Sequence, residues 1–328
     1  MIKIVYRNQI DTLIWDNFIE QSLQRNIYAL SWFLDLMPKR WGAVIEFDSA
    51  LNYVAVLPFQ IKTKYGINII DQEPAITELG LYSLNENISE EILNVLKKEF
   101  RYISRYHFNI KNAPSDPSTY DVKITYQLNL ASPYEVIADG YHIKRKKRVK
   151  QAKAKKQYII DSHDIDSLIT IFKQNIAHKI YGFRNYQYES LKKIYDETQK
   201  RNMSFILQVR SEQDELLSTG LFIKCFDRLI YFLGASTQEG RKNYSQILLF
   251  DYVIQKFSET SLMLDSRGGS VDGLDQFYSG FGAKPMKIYS LHQKRMPQFV
   301  KSFLVVRGKI IKTAYQFRKK MKLMYSSH

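Results

Sequence analysis

Two residues in the last quarter of the chain have the chemistry of an acid–base pair. Asp265 follows an apolar strand in LDSRGG, and Tyr278 lies in the helical segment LDQFYSGFGA. A phenol with a pKa of about 10 stays protonated at neutral pH and can donate a proton, whereas a carboxylate at the carboxyl end of a strand can accept one. Structural alternatives exist for both: Asp265 can cap the turn, and Tyr278 can pack beside Phe277 and Phe281.

A group of possible anion donors lies between a strand and the helix that precedes Asp265. The segment GASTQEGRKNYSQILLF runs from a strand that ends at Ala235, through a polar turn, into an amphipathic helix. A helix N-terminus offers unpaired N–H groups and the positive end of a dipole, so it suits a phosphate. The side chains that could assist there are Arg241, Lys242, Asn243 and Ser245. Asn243 or Ser245 could instead serve only as the helix N-cap.

His178 and Arg184 are the remaining candidates for contact with a substrate. They flank the loop AHKIYGFRNY between two predicted helices. A histidine can accept a proton, although a lone histidine in a loop is more often structural or solvent-exposed. Cys225 is the single cysteine and has no histidine near it in sequence, which argues against a covalent cysteine mechanism and a multi-cysteine metal site. No metal-ligand spacing or Walker loop occurs, so we expect no metal cofactor.

Positive charge is concentrated in two segments. The chain has 328 residues and a net charge of +15. Residues 144–156 contain nine Lys and Arg, residues 276–328 contain twelve, neither segment contains an acidic residue, and the rest of the chain carries a net −6. A concentrated basic face favours a polyanionic partner such as tRNA, an anionic membrane, or a phosphorylated or lipid-linked precursor. A solvated helix face would explain the same pattern.

The composition is that of a soluble protein. A hydrophobic content of 45% and this length allow two domains of ordinary size. The first residues include acidic and amide side chains where a signal peptide needs an uninterrupted apolar stretch, and no run of about 18 apolar residues occurs. A single cysteine is compatible with a reducing compartment. We therefore expect a cytoplasmic protein, with peripheral contact to the inner face of the membrane as an extension of its basic character.

Hydrophobic periodicity predicts a mixed α/β fold. After a basic helix over 144–156, the order is strand, two helices, three strands with short turns, helix, strand, helix and strand. Short turns predict antiparallel hairpins and argue against an all-parallel sheet. The first half repeats this order more faintly, with helices over Thr12–Leu23 and Glu90–Tyr102 and a last strand at His107–Ile110. The turn-rich segment Ala113–Thr119 separates that strand from another at Val122–Leu130.

This order and two short signatures resemble FemAB-like proteins of the GNAT superfamily, which include the Fem-type peptidyltransferases. The signatures are a T-x-x-L-x-L strand at Thr125–Leu130 and the Lys/Arg-rich helix that follows it. The stretch from YFLGAS at Tyr231 to FGAKP at Pro285 is similar to the donor site of GNAT-type acyltransferases. The resemblance implies a tandem GNAT-like acyltransferase fold, an α+β arrangement with a mixed sheet.

The resemblance also implies two domains. Residues 1–130 would form a degenerate GNAT-like domain on the acceptor side. Residues 131–328 would carry the donor site, the basic helix over 144–156 and a C-terminal amphipathic helix at about 297–324.

Roles for the candidate residues follow from the same resemblance. Tyr278 would protonate the leaving group, and the loop of His178 and Arg184 would shape the acceptor site. Asp265 is a candidate base only from its position at the carboxyl end of a strand. The donor's pyrophosphate would lie at the residues already named in the GASTQEGRKNYSQILLF segment, which are Ala235, Arg241, Lys242, Asn243 and Ser245. A backbone N–H of the strand Arg228–Ala235 would stabilise the oxyanion.

The donor pattern departs from the family at two places. GNAT proteins that bind CoA have small residues where this chain has Tyr244 and Gln246. We expect first an N-acyltransferase that uses acyl-CoA or acetyl-CoA as co-substrate and an amine as acceptor. The first alternative is Fem-type transfer from aminoacyl-tRNA to a cell-wall or lipid precursor. The second is a non-catalytic module of the same fold that binds an anionic polymer or a membrane.

Overall fold

The computed structural model describes residues 1–64, 66–85, 90–177, 185–267 and 273–295. The predicted substrate residues His178 and Arg184 lie outside this part of the chain, as does the helix predicted at about 297–324. Among the described residues, no helix has both the length and the apolarity needed to cross a bilayer.

The described chain consists of strands and α-helices in alternating groups. The strands are β1 Ile2–Tyr6, β2 Arg40–Phe47, β3 Tyr53–Lys64, β4 Ile67–Asp71, β5 Tyr82–Ser83, β6 Tyr102–His107, β7 Asp121–Asn129, β8 Gln157–Ser162, β9 Ser204–Ser211, β10 Leu216–Cys225, β11 Arg228–Ser236, β12 Met263–Asp265 and β13 Lys284–Lys294. The helices are α1 Thr12–Gln21, α2 Ser31–Asp35, α3 Glu91–Glu99, α4 Tyr134–Asp139, α5 Ile143–Lys153, α6 Ile165–Asn175, α7 Tyr186–Lys200, α8 Gln238–Lys242, α9 Ser245–Phe257 and α10 Leu274–Ser279.

These strands form one mixed sheet. The sequence predicted the mixed α/β class, but it did not predict that both halves share a single sheet. Its order is β1-β2-β3-β4-β6-β13-β7-β12-β11-β10-β9-β8, with β5 paired to β3. The three strands β9, β10 and β11 are joined as antiparallel hairpins, as their short turns predicted. Strand β10 has apolar residues on both faces because helices cover the sheet on both sides.

The centre of the sheet joins the two halves by an exchange of strands. Strand β7 follows β6 in the chain but pairs with β12 and β13, and β13 follows β12 but pairs with β6 and β7. Each half therefore contributes its last strand to the middle of the sheet beside the other half. The sequence predicted the β7 strand, and the proposed division at residues 130 and 131 stays a prediction.

Each half contains one parallel pair of strands, and the pair in the second half opens into a gap. Strands β4 and β6 are parallel, and so are β11 and β12. Because β12 has three residues, its pairing with β11 ends at Ile230 and Asp265, and the rest of β11 has no strand partner on that edge among the described residues. A β-bulge at Phe232, opposite Leu221 and Phe222, bends β11 at the same place. The gap between β11 and β12 is therefore built by the backbone.

Local signals account for the helices that border this gap. Asp164 caps α6 by accepting from the N–H of Ser167, and Thr237 caps α8 by accepting from the N–H of Gly240. Helix α9 packs on β9 and β10, where Phe250 and Phe281 belong to one buried aromatic cluster.

Some predicted boundaries differ from the structure. The strand after α3 lies at Tyr102–His107 and not at His107–Ile110, because Asn109 and Asn112 use their side chains to bond the backbone of neighbouring loops. Helix α3 accordingly ends at Glu99. The basic helix ends at Lys153, three residues early, since β8 begins at Gln157.

A buried histidine in the central strands makes stability depend on pH. Nδ1 of His107 lies 2.7 Å from Ser290 Oγ, and Nε2 lies 2.8 Å from Nζ of Lys123. Burial and the nearby cations Lys123 and Arg105 lower the pKa of His107 to about 3. The folded protein thus keeps the ring neutral, whereas the unfolded chain protonates it below its ordinary value.

We expect the free energy of unfolding to fall by roughly 1.4 kcal/mol per pH unit as pH decreases below about 6.5. His107→Gln should flatten this dependence in urea titrations. The control is His292→Gln, since that ring is 42% exposed. An unchanged pH profile in His107→Gln would contradict the assignment.

Candidate active site

A buried ion cluster lies where the gap between β11 and β12 begins. Arg228, the first residue of β11, pairs with Glu78 of the first half and with Asp265 of β12 at 3.3 Å. Burial raises the pKa of Glu78, and the Arg228 charge opposes this rise. Burying a charge costs free energy unless an opposite charge is beside it. Removing one member of this cluster would therefore leave another charge buried without a partner and destabilise the fold. The cluster joins the two halves of the chain at the candidate site.

Asp265 is more enclosed than the sequence predicted. Besides Arg228, its carboxylate accepts the backbone N–H of Arg267 at 2.8 Å and the side chains of Thr125 and Gln127 at 3.4 Å each. It is 5% exposed. These contacts fit a residue that orders the end of β12, and the predicted role of Asp265 as a base stays a prediction.

Arg267 occupies the gap itself. Its guanidinium donates to the carbonyl oxygen of Phe232 on the open edge of β11 at 2.7 Å and to that of Ala75 at 2.6 Å. The guanidinium lies 3.9 Å from the centre of the Phe232 ring. Arg267 has a φ of 60°, a left-handed conformation that is unusual for a residue with a side chain. A ligand that uses this edge must displace Arg267 or bind to it.

Tyr278 lies on the other side of this gap in an aromatic pocket. Its ring packs against Phe250 at 5.7 Å and Tyr126 at 6.0 Å, and a small cavity lined also by Ser266 adjoins it. Burial and the Asp265 carboxylate raise the pKa of Tyr278, while Arg267 opposes them. Among the described residues, its hydroxyl has no hydrogen-bond partner. A protonated, unengaged phenol is suited to donate a proton to a leaving group.

Arg145 holds the short helix that carries Tyr278. This side chain points inward from α5 and is 4% exposed. It donates to the carbonyl oxygens of Gln276 and Phe277 at 3.3 and 2.9 Å, and it stacks on Phe277 and Phe281. Burial lowers the pKa of Arg145 to about 10. The basic helix α5 therefore fixes the position of the helix that carries Tyr278 through Arg145.

The predicted donor residues lie around the turn between α8 and α9. Ala235 is buried in β11. Arg241 bonds the Ser236 carbonyl at 2.9 Å and Asn175 at 3.1 Å, while Lys242 and Asn243 both bond Glu239 at 3.2 Å. The structure thus brings these residues together at one end of the gap. Their binding of a phosphate stays a prediction.

The first turn of α9 is filled by the protein's own side chains. Ser245 is fully buried and donates to Gln157 at 2.7 Å. Gln246 donates to the Tyr231 hydroxyl at 2.8 Å and accepts from Ser218 and, at 3.1 Å, from Ser236. Tyr244 has a left-handed φ of 57° at the start of the helix. The small residues of a CoA site are absent from this turn.

The single cysteine lies in an environment that disfavours nucleophilic attack. Cys225 is buried, and burial raises its pKa to about 12, so the reactive thiolate is disfavoured. No group of three or more His, Cys, Asp or Glu in the described ranges could hold a metal ion. A larger open cleft of about 760 Å³ lies in the first half. Three of the four charged side chains that line this cleft are in ion pairs, Arg7 with Asp35 and Lys39 with Asp71, and the fourth, Arg40, donates to the Thr63 hydroxyl at 3.0 Å.

Four charged residues of the site did not emerge from the sequence. They are Glu78, Arg145, Arg228 and Arg267. A signal existed for Arg228, because a charge at the start of the apolar strand RLIYFLGA is unusual. The inward position of Arg145 could have been inferred from its spacing of four and seven residues from Val149 and Ala152. Nothing local distinguishes Glu78 or Arg267.

The fold is similar to that of several solved structures. No protein-family model matches the chain, and no curated protein matches it significantly in sequence. FemX has a TM-score of 0.58 at 12% identity, over 87% of this chain and 97% of that one. L-PGS from Bacillus licheniformis has a TM-score of 0.50 at 12% identity, over 90% and 96%. A conserved protein of unknown function from Bacteroides thetaiotaomicron VPI-5482 has a TM-score of 0.57 at 9% identity, over 89% and 100%.

These similarities cover nearly the whole length of each chain. Identities of 12% and below extend to the fold alone. The chain therefore has the GNAT-like fold of FemAB-like proteins that its sequence resemblance predicted.

Proposed function

We propose that this protein is an acyltransferase that moves an acyl group from an activated carrier to an amine in the gap between β11 and β12. The observation that carries the proposal is the unengaged Tyr278 hydroxyl beside the open edge of β11. An open strand edge offers backbone donors for an oxyanion, and a protonated phenol offers a proton to the leaving group.

The proposed reaction is a nucleophilic substitution at the acyl carbon and involves no redox step. The amine nitrogen attacks the acyl carbonyl carbon, a C–N bond forms, and the C–O or C–S bond to the carrier breaks. Tyr278 gives its proton to the departing oxygen or sulfur, and the amine loses a proton to Asp265 or to solvent. That proton restores the Tyr278 phenol through solvent, so no net proton is taken up.

Aminoacyl-tRNA is the donor that these residues favour over acyl-CoA. Tyr244 and Gln246 stand where a CoA site has small residues, and the bonds of Gln246 to Tyr231 and Ser236 keep its amide in place. An ester at the end of an RNA has no pyrophosphate to place there. The net charge of +15 also favours a polyanionic donor.

The acceptor would be an amine on a phosphorylated or lipid-linked precursor. We propose a cytoplasmic protein that meets such a precursor at the inner face of the membrane. Arg267 supports a second candidate, a non-catalytic binding module, because its guanidinium fills the gap in this structure.

Calorimetric titration, which measures binding, and thermal-shift titration, which measures stabilisation, together distinguish these donors. We expect uncharged tRNA to bind, and acetyl-CoA, free CoA and a longer acyl-CoA to give no acyl-dependent stabilisation that survives added salt. Acyl transfer from a charged tRNA to a small amine should then be measurable. Salt-resistant stabilisation by acyl-CoA would instead identify CoA as the donor. Binding of neither would leave the non-catalytic module.

A further inference from the structure

The outer face of α5 carries cations that have no carboxylate partner in the part of the chain that the structure describes. No acidic residue occurs between Gly140 and Ile160. Lys146, Lys153 and Lys156 pair with Asp139, Asp251 and Glu212. The cations of this segment that are exposed and have no carboxylate partner among the described residues are Lys144, Lys147, Arg148, Lys150 and Lys155.

Helix α5 packs against the protein with one face and presents its cations to solvent with the other. Arg145, Val149 and Ala152 are buried, and this stripe packs against α9 and the Tyr278 helix. Lys144, Lys147 and Lys150 follow one another at three-residue spacing, about 4.5 Å apart along the axis. A fixed helix thus displays a dense row of cations to solvent.

This face fits a phosphate backbone better than a lipid surface. A helix that lies in a bilayer must expose its apolar stripe, and the apolar stripe of α5 is buried. One exposed isoleucine, Ile143, remains at its first position and is 87% exposed. Phosphate contacts require cations alone.

The same face borders the donor end of the gap. The Arg148 guanidinium lies 5.7 Å from the centre of the Tyr244 ring, and Gln157 after α5 bonds Ser245 at 2.7 Å and the carbonyl of Asn243 at 3.1 Å. A polyanion held along α5 therefore ends beside the turn where the donor must be held.

We propose that the outer face of α5 is an RNA-docking surface, with Lys144, Lys147, Arg148 and Lys150 holding the phosphate backbone of the acyl donor. The identity of that RNA as the donor rests on the proposed function. Binding of the RNA itself does not, because phosphates are contacted whether or not an acyl group is attached.

The test uses the full chain and a fluorescently labelled, uncharged tRNA transcript. Lys144→Ala, Lys147→Ala and Lys150→Ala are combined in one variant. The matched control removes the same charge from exposed lysines elsewhere, with Lys3→Ala, Lys98→Ala and Lys193→Ala. We expect the α5 variant to bind on the order of tenfold more weakly and its salt slope to fall by about 2 to 3, and the control to change less than about twofold.

Equal weakening of both variants, or no change in the α5 variant, would overturn the proposal. The proposal would also be overturned if the α5 variant and Ile143→Asp kept their tRNA binding but lost binding to phosphatidylglycerol vesicles. That result would assign the surface to a membrane. Weakened tRNA binding by the α5 variant supports the surface even if no acyl transfer from charged tRNA is found; that absence would contradict the proposed function alone.

Discussion

Tyr278→Phe is expected to lower the rate of acyl transfer by about 10²- to 10⁴-fold, the usual contribution of a general acid. The variant keeps the ring that packs on Phe250 and Tyr126 and removes a hydroxyl that has no hydrogen-bond partner among the described residues. We therefore expect the free energy of unfolding to change by less than about 1 kcal/mol. Single-turnover transfer and urea unfolding measure the two effects separately.

Tyr141→Phe is the matched control. Tyr141 packs on Phe281 in the same aromatic cluster, but its hydroxyl donates to Asp251 at 3.1 Å. Removing that bond should cost about 1 kcal/mol of stability and leave transfer unchanged. Wild-type rates in Tyr278→Phe would remove this residue from the mechanism and leave the fold unaffected.

Arg228→Met is expected to reduce the free energy of unfolding by about 3 to 5 kcal/mol at neutral pH. The substitution leaves the carboxylates of Glu78 and Asp265 buried without their shared cation. Urea titration with an intrinsic fluorescence readout measures the loss. Adding Glu78→Gln to the variant should recover part of it, because one uncompensated charge is removed. No recovery would contradict the ion-cluster assignment.

The loss in Arg228→Met should also depend on pH. The folded pKa of Glu78 is already raised by burial against the opposition of Arg228. A raised folded pKa contributes stability at low pH, and this stability is lost as pH rises through the folded pKa. Without Arg228 the pKa rises further, so the variant should be less destabilised at about pH 5 than at about pH 8. An equal loss at both would argue that packing, not charge, explains it.

Much of the architecture could be predicted from local pattern. Periodicity located nearly every strand and helix of the second half, because the spacing of apolar residues reports directly which face of an element is buried. Composition located the basic helix, and Tyr278 followed from the resemblance of FYSGFGA to a known motif. Short strands and helix ends were less certain, as the misplaced strand at His107–Ile110 illustrates.

The exchange of β7 and β13 and the partners of the charged residues could not be predicted. Glu78 and Arg228 meet across 150 residues, and Arg267 reaches the carbonyl of Ala75 across 192. Such contacts depend on how the whole sheet pairs, which no local window of sequence contains. Helix α5 illustrates both sources of information. Its number of cations could be counted in the sequence. Only the packing of α5 against α9 decided which cations face solvent and which one, Arg145, supports the helix of Tyr278.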